Sequence, residues 1–220
     1  MEKGSKVYTK RSLAFYDWWV LNVSNRVMWN CPTDYLESHY RQHISDSHLD
    51  AGIGTGYFLE KCLPEGEPKA AILDVNGACL EYSAKRLEHY RPEIYEENLF
   101  ESFELYDVKY DSIALNYVLH CLPGVLEEKA EVVFNNLIPH LAEGGVIFGS
   151  SILGTDVERN WPARIAMSLY NKRGIFSNRE DSLGSMMEAL SSCFKTFNVE
   201  VHGCVVLFWG KNPKTNSPAD

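Results

Sequence analysis

Apolar positions along the chain change period as it is read from the N-terminus. Leu13, Tyr16, Val20, Val23 and Val27 recur at helical spacing, and the stretch Tyr8 to Trp29 also carries Phe15, Trp18 and Trp19. A second short helix fits Thr33–His43, with Thr33 as its N-cap after Pro32. Strands and helices then alternate. Ser47–Asp50 leads into a helix near Tyr57–Leu63, and Ala70–Val75 into a helix over Gly77–Tyr90. Asp111–Val118 precedes an amphipathic helix over Val125–Leu141, stopped by Gly144-Gly145, and Val146–Leu153 follows as another strand. These strands are apolar runs, the pattern of a parallel sheet covered on both faces. Arg159–Lys172 and Arg179–Cys193 are predicted helical. Phe197–His202 and Val205–Trp209 then form two strands turning at Gly203, which makes the sheet mixed.

Composition narrows this little: 220 residues, 45% hydrophobic and 23% charged, suit one large globular domain. Charge matters more. Lys and Arg number 21 against 30 Asp and Glu, a net charge of −9, which argues against a nucleic-acid partner. No run approaches the ~20 apolar residues of a membrane span. Met1 to Ser12 carries Glu2, Lys3, Lys6, Lys10 and Arg11 without an apolar core, so no secretory signal is expected. Cys31, Cys62, Cys79, Cys121, Cys193 and Cys204 form no CxxC pair and read as reduced core residues of a cytoplasmic protein.

Chemistry concentrates in Leu49-Asp50-Ala51-Gly52-Ile53-Gly54-Thr55-Gly56, where a strand ends in an acid and the chain turns on alternate glycines into a helix. Such a loop lets a ligand approach the main chain at a strand's C-terminal end. A dinucleotide site wants its third glycine where Tyr57 stands, which disfavours a nicotinamide dehydrogenase. An acid before the loop suits a cofactor that carries an amine and no pyrophosphate. Asp74, 18 residues beyond Gly56 at the next strand end, is placed to take both hydroxyls of a ribose; alone it reads equally as a helix cap.

LDAGIGTGYFL, AILDVNGACLEYSAKRL, YDSIALNYVLHCLPG and LIPHLAEGGVIFGSSIL resemble, in order and spacing, the four successive motifs of class I S-adenosylmethionine-dependent methyltransferases. The resemblance spans residues 47–153 by motif and reaches 210 by architecture, and is most similar to small-molecule enzymes of the ubiquinone/menaquinone-biosynthesis and natural-product type. It implies an α/β, Rossmann-like, doubly wound seven-stranded sheet with an antiparallel last strand, helices on both faces and an N-terminal helical lid. Residues 1–45 would be that aromatic lid, 46–212 the cofactor-binding domain and 213–220 a disordered tail. It implies S-adenosyl-L-methionine as cofactor, with Gly52, Gly54, Thr55 and Gly56 along its methionine half and Asp50 on its amino group. Asp74 would bind the ribose, Val75 and Asn76 would flank the adenine, Asn98 would bond the adenine amine and Leu99 would cover the ring. Asn98 stands where the family often has Asp. Asn116 and Tyr117 would approach the methionine carboxylate or the sulfonium.

For catalysis, His120 lies one helical turn past Asn116-Tyr117 and is the candidate base for a hydroxyl acceptor, set against a packing role at a helix start. The resemblance implies that Tyr16, paired with Asp17, packs over the cofactor; Trp29 and Tyr8 are expected to complete an aromatic wall or surround the sulfonium, set against ordinary aromatic burial of a helix on the sheet. Trp161, Met167 and Tyr170 offer a second wall. Asn116 and an isolated Asp156 do not make a metal site, so no metal is expected. The expected activity is metal-independent methyl transfer to a small apolar or aromatic acceptor, with O-methylation favoured. The alternative is a protein that binds the cofactor without transferring methyl. A homodimer is left open.

Overall fold

Along the first strand, Leu49 and Ala51 point to one side of the sheet and His48 and Asp50 to the other, the period of two that a pleated backbone imposes. The computed structural model describes residues 18–105 and 108–214, and these hold a seven-stranded sheet. Its strands are β1 (Ser47–Ala51), β2 (Lys69–Asp74), β3 (Glu93–Glu96), β4 (Tyr110–Asn116), β5 (Leu141–Ile152), β6 (Phe194–His202) and β7 (Val205–Pro213). The order is β3-β2-β1-β4-β5-β7-β6; β1 to β5 run parallel and β7 is antiparallel to both neighbours. The connection reverses direction between β1 and β4. That switch point opens a crevice at the C-terminal strand ends, where ligands bind in such sheets.

Two helical layers bury the sheet. On one face, α4 (Leu126–Leu137) and α6 (Leu183–Cys193) pack Leu126, Val133, Phe134, Met186 and Leu190 against Leu49, Leu73, Ile113, Ile147 and Phe208. The opposite face is covered by α1 (Thr33–His43), α2 (Tyr57–Cys62) and α3 (Gly77–Arg86). A π-helical segment, Trp18–Met28, and α5 (Trp161–Lys172) complete that side over the β5–β7 end. The six cysteines are unpaired thiols, all buried except the half-buried Cys121.

Several expectations need correction. Pro32, not Thr33, is the cap of α1; the Thr33 hydroxyl instead accepts a hydrogen bond from Asn25 Nδ2 at 3.1 Å. Within α1, Leu36 and Tyr40 are buried and Tyr40 packs on Ala114 and Phe148 of the sheet. Gly144-Gly145 does not stop a helix. α4 ends at Leu137, a tight turn over Ile138–His140 carries Pro139, and β5 begins at Leu141, so the two glycines lie inside a strand. There the register against β4 slips, from Tyr110 opposite Leu141 to Ser112 opposite Val146. β3 escaped the sequence pattern because EIYE offers four residues with Tyr95 alone buried. Trp161 is 74% exposed, whereas Met167 is buried and Tyr170 packs on Phe176.

Candidate functional site

The glycine loop lies at the switch point. Gly52, Gly54 and Gly56 all have positive φ (77°, 54° and 75°), which ordinary side chains rarely adopt. A Cβ on Gly52 would stand 2.4 Å from Val118 Cγ2, whereas one on Gly54 would meet nothing within 4 Å. Gly54 is therefore needed for backbone shape and for the open space above it. Its N–H donates to Asp74 Oδ2 at 3.2 Å, and the Asn76 N–H donates to Asp74 Oδ1 at 2.9 Å, so Asp74 ties the loop to the end of β2. Burial raises the Asp74 carboxyl above the usual range, against the pull of those N–H groups. Asn76 caps α3 by accepting from the Ala78 N–H, and Thr55, buried behind the loop, has its carbonyl held by Arg86 at 2.9 Å. Val75, beside Asp74, is 50% exposed, an apolar side chain left to solvent at the crevice.

Asp50 is buried. Its Oδ2 accepts from the Tyr40 hydroxyl at 2.8 Å, and that hydroxyl lies 2.9 Å from His48 Nε2. Burial pushes the Asp50 carboxyl up to about 7; the Tyr40 hydrogen bond opposes this and the Asp74 charge adds to it. Sequence reasoning missed Tyr40 and His48. The available signal was His48-x-Asp50, two polar residues on one face of an apolar strand, which demands a buried partner.

At the end of β4, the Asn116 Oδ1 accepts from the Ser150 hydroxyl at 2.9 Å while its Nδ2 is buried with no hydrogen-bond partner among the described residues. A buried donor left unpaired costs about 1–3 kcal/mol, which a bound acceptor would recover. Tyr117 follows in the left-handed region (φ 56°), its N–H on Ser150 O and its hydroxyl on Asn25 Oδ1 at 2.9 Å. From it a row of ring contacts continues: Tyr117 to His120 (5.6 Å), His120 to Phe176 (4.5 Å) and Phe176 to Trp29 (5.9 Å). The His120 ring is buried, its pKa pushed down to about 3, and its Nδ1 faces the Ile152 N–H at 3.4 Å. With Nδ1 as acceptor, the neutral ring carries its hydrogen on Nε2.

Phe176 also escaped sequence reasoning, because its loop has no periodicity. That loop is held by Lys129 of α4, whose buried Nζ donates to Leu122 O, to Ser177 O and to both oxygens of Asp181 (2.8 and 3.1 Å). Ser177 N–H on His120 O and Asn178 Nδ2 on Ile152 O, each at 2.8 Å, complete the anchorage.

The structure thus gathers Asp50, Gly52, Gly54, Thr55, Gly56, Asp74, Val75 and Asn76 at the ends of β1 and β2, with Asn116, Tyr117 and His120 after β4. Asn98 spends its side chain locally, accepting from the Phe100 N–H and donating to Glu101, and Leu99 is buried among core residues that include Tyr95 and Phe103. Trp29 is buried beneath the closing hairpin with Cys31, Leu36 and Val205. Tyr16, Asp17 and Tyr8 lie outside the described residues, as do residues 215–220. Among the described residues no three His, Cys, Asp or Glu side chains group as a metal site would require, and no helix is long and apolar enough to cross a membrane.

Comparison with known proteins fits this geometry. A methyltransferase-domain family model matches residues 49–147. The chain is 32% identical over 203 residues to demethylluteothin O-methyltransferase of Streptomyces thioluteus, covering 92% of this chain and 88% of that one. It is 33% identical over 218 residues to a physcion biosynthesis cluster O-methyltransferase of Aspergillus chevalieri, covering 97% and 96%. In fold it is similar to the crystal structure of the N-methyltransferase NodS of Bradyrhizobium japonicum in complex with S-adenosyl-L-homocysteine, at a TM-score of 0.65 and 15% identity over 96% of this chain and 100% of that one. The whole-length relatives, the matched domain and the sheet order agree: the chain belongs to the class I S-adenosylmethionine-dependent methyltransferases.

Proposed function

We propose that the enzyme transfers methyl to a hydroxyl of a small aromatic or apolar molecule, and that its cofactor lies across the switch point between β1 and β4. The observation that carries the placement is the Asn116 Nδ2 donor, buried and unpartnered among the described residues, beside a loop whose central glycine opens on free space. A carboxylate such as that of the cofactor's methionine end satisfies this donor. Asp50 takes the amino group, Asp74 the ribose hydroxyls, and the exposed face of Val75 the adenine. S-adenosylmethionine supplies an activated methyl on a sulfonium. The protein's part is then mainly to position the acceptor. Tyr117, His120 and Phe176 form the acceptor wall, with Trp29 buried behind Phe176. His120, neutral with its hydrogen on Nε2, fits a hydrogen-bond donor to the acceptor oxygen better than a base.

O-methylation of a small molecule is supported by the names of the two full-length relatives. The test is incubation with S-adenosylmethionine and a panel of hydroxylated aromatics, followed by mass spectrometry. A methyl ether forming together with S-adenosylhomocysteine is expected. Methylation confined to amines or nucleic acid would reject the assignment.

A further inference from the structure

Behind Asp50 a row of buried groups crosses the sheet. The Ser45 N–H donates to Ser112 Oγ at 2.9 Å, the Ser45 hydroxyl lies 2.7 Å from the same oxygen and 3.0 Å from Ser47 O, and Ser112 Oγ lies 2.7 Å from His48 Nδ1. His48 Nε2 lies 2.9 Å from the Tyr40 hydroxyl, which lies 2.8 Å from Asp50 Oδ2. Tyr40 has one hydroxyl hydrogen and two partners, and a carboxylate only accepts. An ionised Asp50 therefore takes the Tyr40 hydrogen. His48 must then donate from Nε2, leaving Nδ1 to accept from Ser112, and the Ser45 hydroxyl gives its hydrogen to Ser112 Oγ in place of Ser47 O. Reversing the row requires a hydrogen on Asp50 Oδ2, which is a neutral acid.

We propose that Tyr40 and His48 are positioning residues for cofactor binding: the row Ser112 → His48 → Tyr40 → Asp50, running one way, holds Asp50 as an anion and leaves its second oxygen for the cofactor's amino group. The proposal rests on the reading that Asp50 binds that group. His48 suits the task because burial keeps its ring neutral, so it relays a hydrogen bond without adding charge. Asp50 is faced by Tyr40 from α1, His48 from its own strand, Asp74 from β2 and Cys62 from α2. The Cys62 thiol is pushed up to about 12 and His48 down to about 3, so neither titrates near neutrality.

The experiment measures S-adenosylhomocysteine binding by calorimetry between about pH 5.5 and about pH 8.5, for the wild type, Tyr40→Phe and Asp50→Asn, with the His48 tautomer read from ring-nitrogen NMR shifts. In the wild type, affinity rises with pH through about 7 and flattens above it. Tyr40→Phe moves that inflection upward by about one pH unit or more. Asp50→Asn binds about tenfold or more weakly and loses the inflection. Wild-type His48 carries its hydrogen on Nε2 at the alkaline end.

A hydrogen on Nδ1 there overturns the proposal, and this reading needs no variant. A Tyr40→Phe profile superposing on the wild type, while Asp50→Asn is weakened, overturns the row but spares Asp50. Wild-type affinity in Asp50→Asn overturns the reading beneath both.

Discussion

Asn116 and Asp74 sit at neighbouring openings of one crevice yet face opposite problems. Asn116 is a donor lacking an acceptor; Asp74 is an acceptor already shared by two backbone N–H groups. Asn116→Asp keeps the acceptor for the Ser150 hydroxyl but deletes the donor, so calorimetry should show product affinity falling about tenfold or more. Asp74→Ala should weaken binding by about 1–3 kcal/mol; unchanged affinity would mean the ribose is held elsewhere. For His120 the two roles separate kinetically. Loss of a general base costs about 10²–10⁴ in rate, whereas loss of one donor costs about tenfold. His120→Asn is expected to show the smaller loss, with the pH dependence of kcat unmoved. Both acids and Asn116 were legible in the sequence because strand ends, glycines and motif spacing mark them. Tyr40 was not, since a tyrosine on a helix reads as ordinary burial until the strand it faces is known.

At the level of elements, the loop glycines separate shape from function. Gly52→Ala should destabilise the fold, because its Cβ collides with Val118 and its φ is positive. Gly54→Ala has room, so its structural cost is about the 1–2 kcal/mol of a left-handed alanine, while the methyl group projects into the space assigned to the cofactor. Thermal unfolding compared with product binding should show Gly52→Ala losing stability first and Gly54→Ala losing affinity first. The strands that carry the site were readable from their apolar runs. β3 was not, because an edge strand of four residues with one buried side chain has no period to detect. The end of α4 was misplaced because a glycine pair reads as a stop signal, whereas Pro139 ends the helix and the glycines serve a slipped register.

Across the whole molecule, burial of imidazoles sets the acid limit of stability. The rings of His48 and His120 are held down near about 3 and that of His43 near about 4, and those of His39 and His140 are lowered too, in each case chiefly by burial. In the unfolded chain each binds a proton near pH 6.5. Below that pH the unfolded state holds more protons than the folded one, so stability falls as pH drops from about 6.5 toward these lowered values. Asp50, Asp74 and Asp181 act with the opposite sign: burial raises all three carboxyls, Asp50 to about 7 and Asp181 to about 6, which makes the folded state less stable as pH rises toward those values. Urea unfolding at pH 5 and pH 7 should show the histidines winning, five lowered rings against these three raised carboxyls, and His48→Gln should flatten the acid slope.

The Lys129–Asp181 clamp has a consequence for how such an enzyme diversifies. The pair is buried on both sides, and removing either member strands a charge at a cost of about 3–5 kcal/mol. Lys129 holds the loop at the Ser177 carbonyl and the Asp181 carboxylate, and ties it to Leu122 O beside His120. Phe176, next to Ser177, contributes only its ring to the wall. Selection can therefore rewrite the wall one side chain at a time while the hinges of the loop stay put. New acceptors become reachable through small steps that leave the scaffold intact.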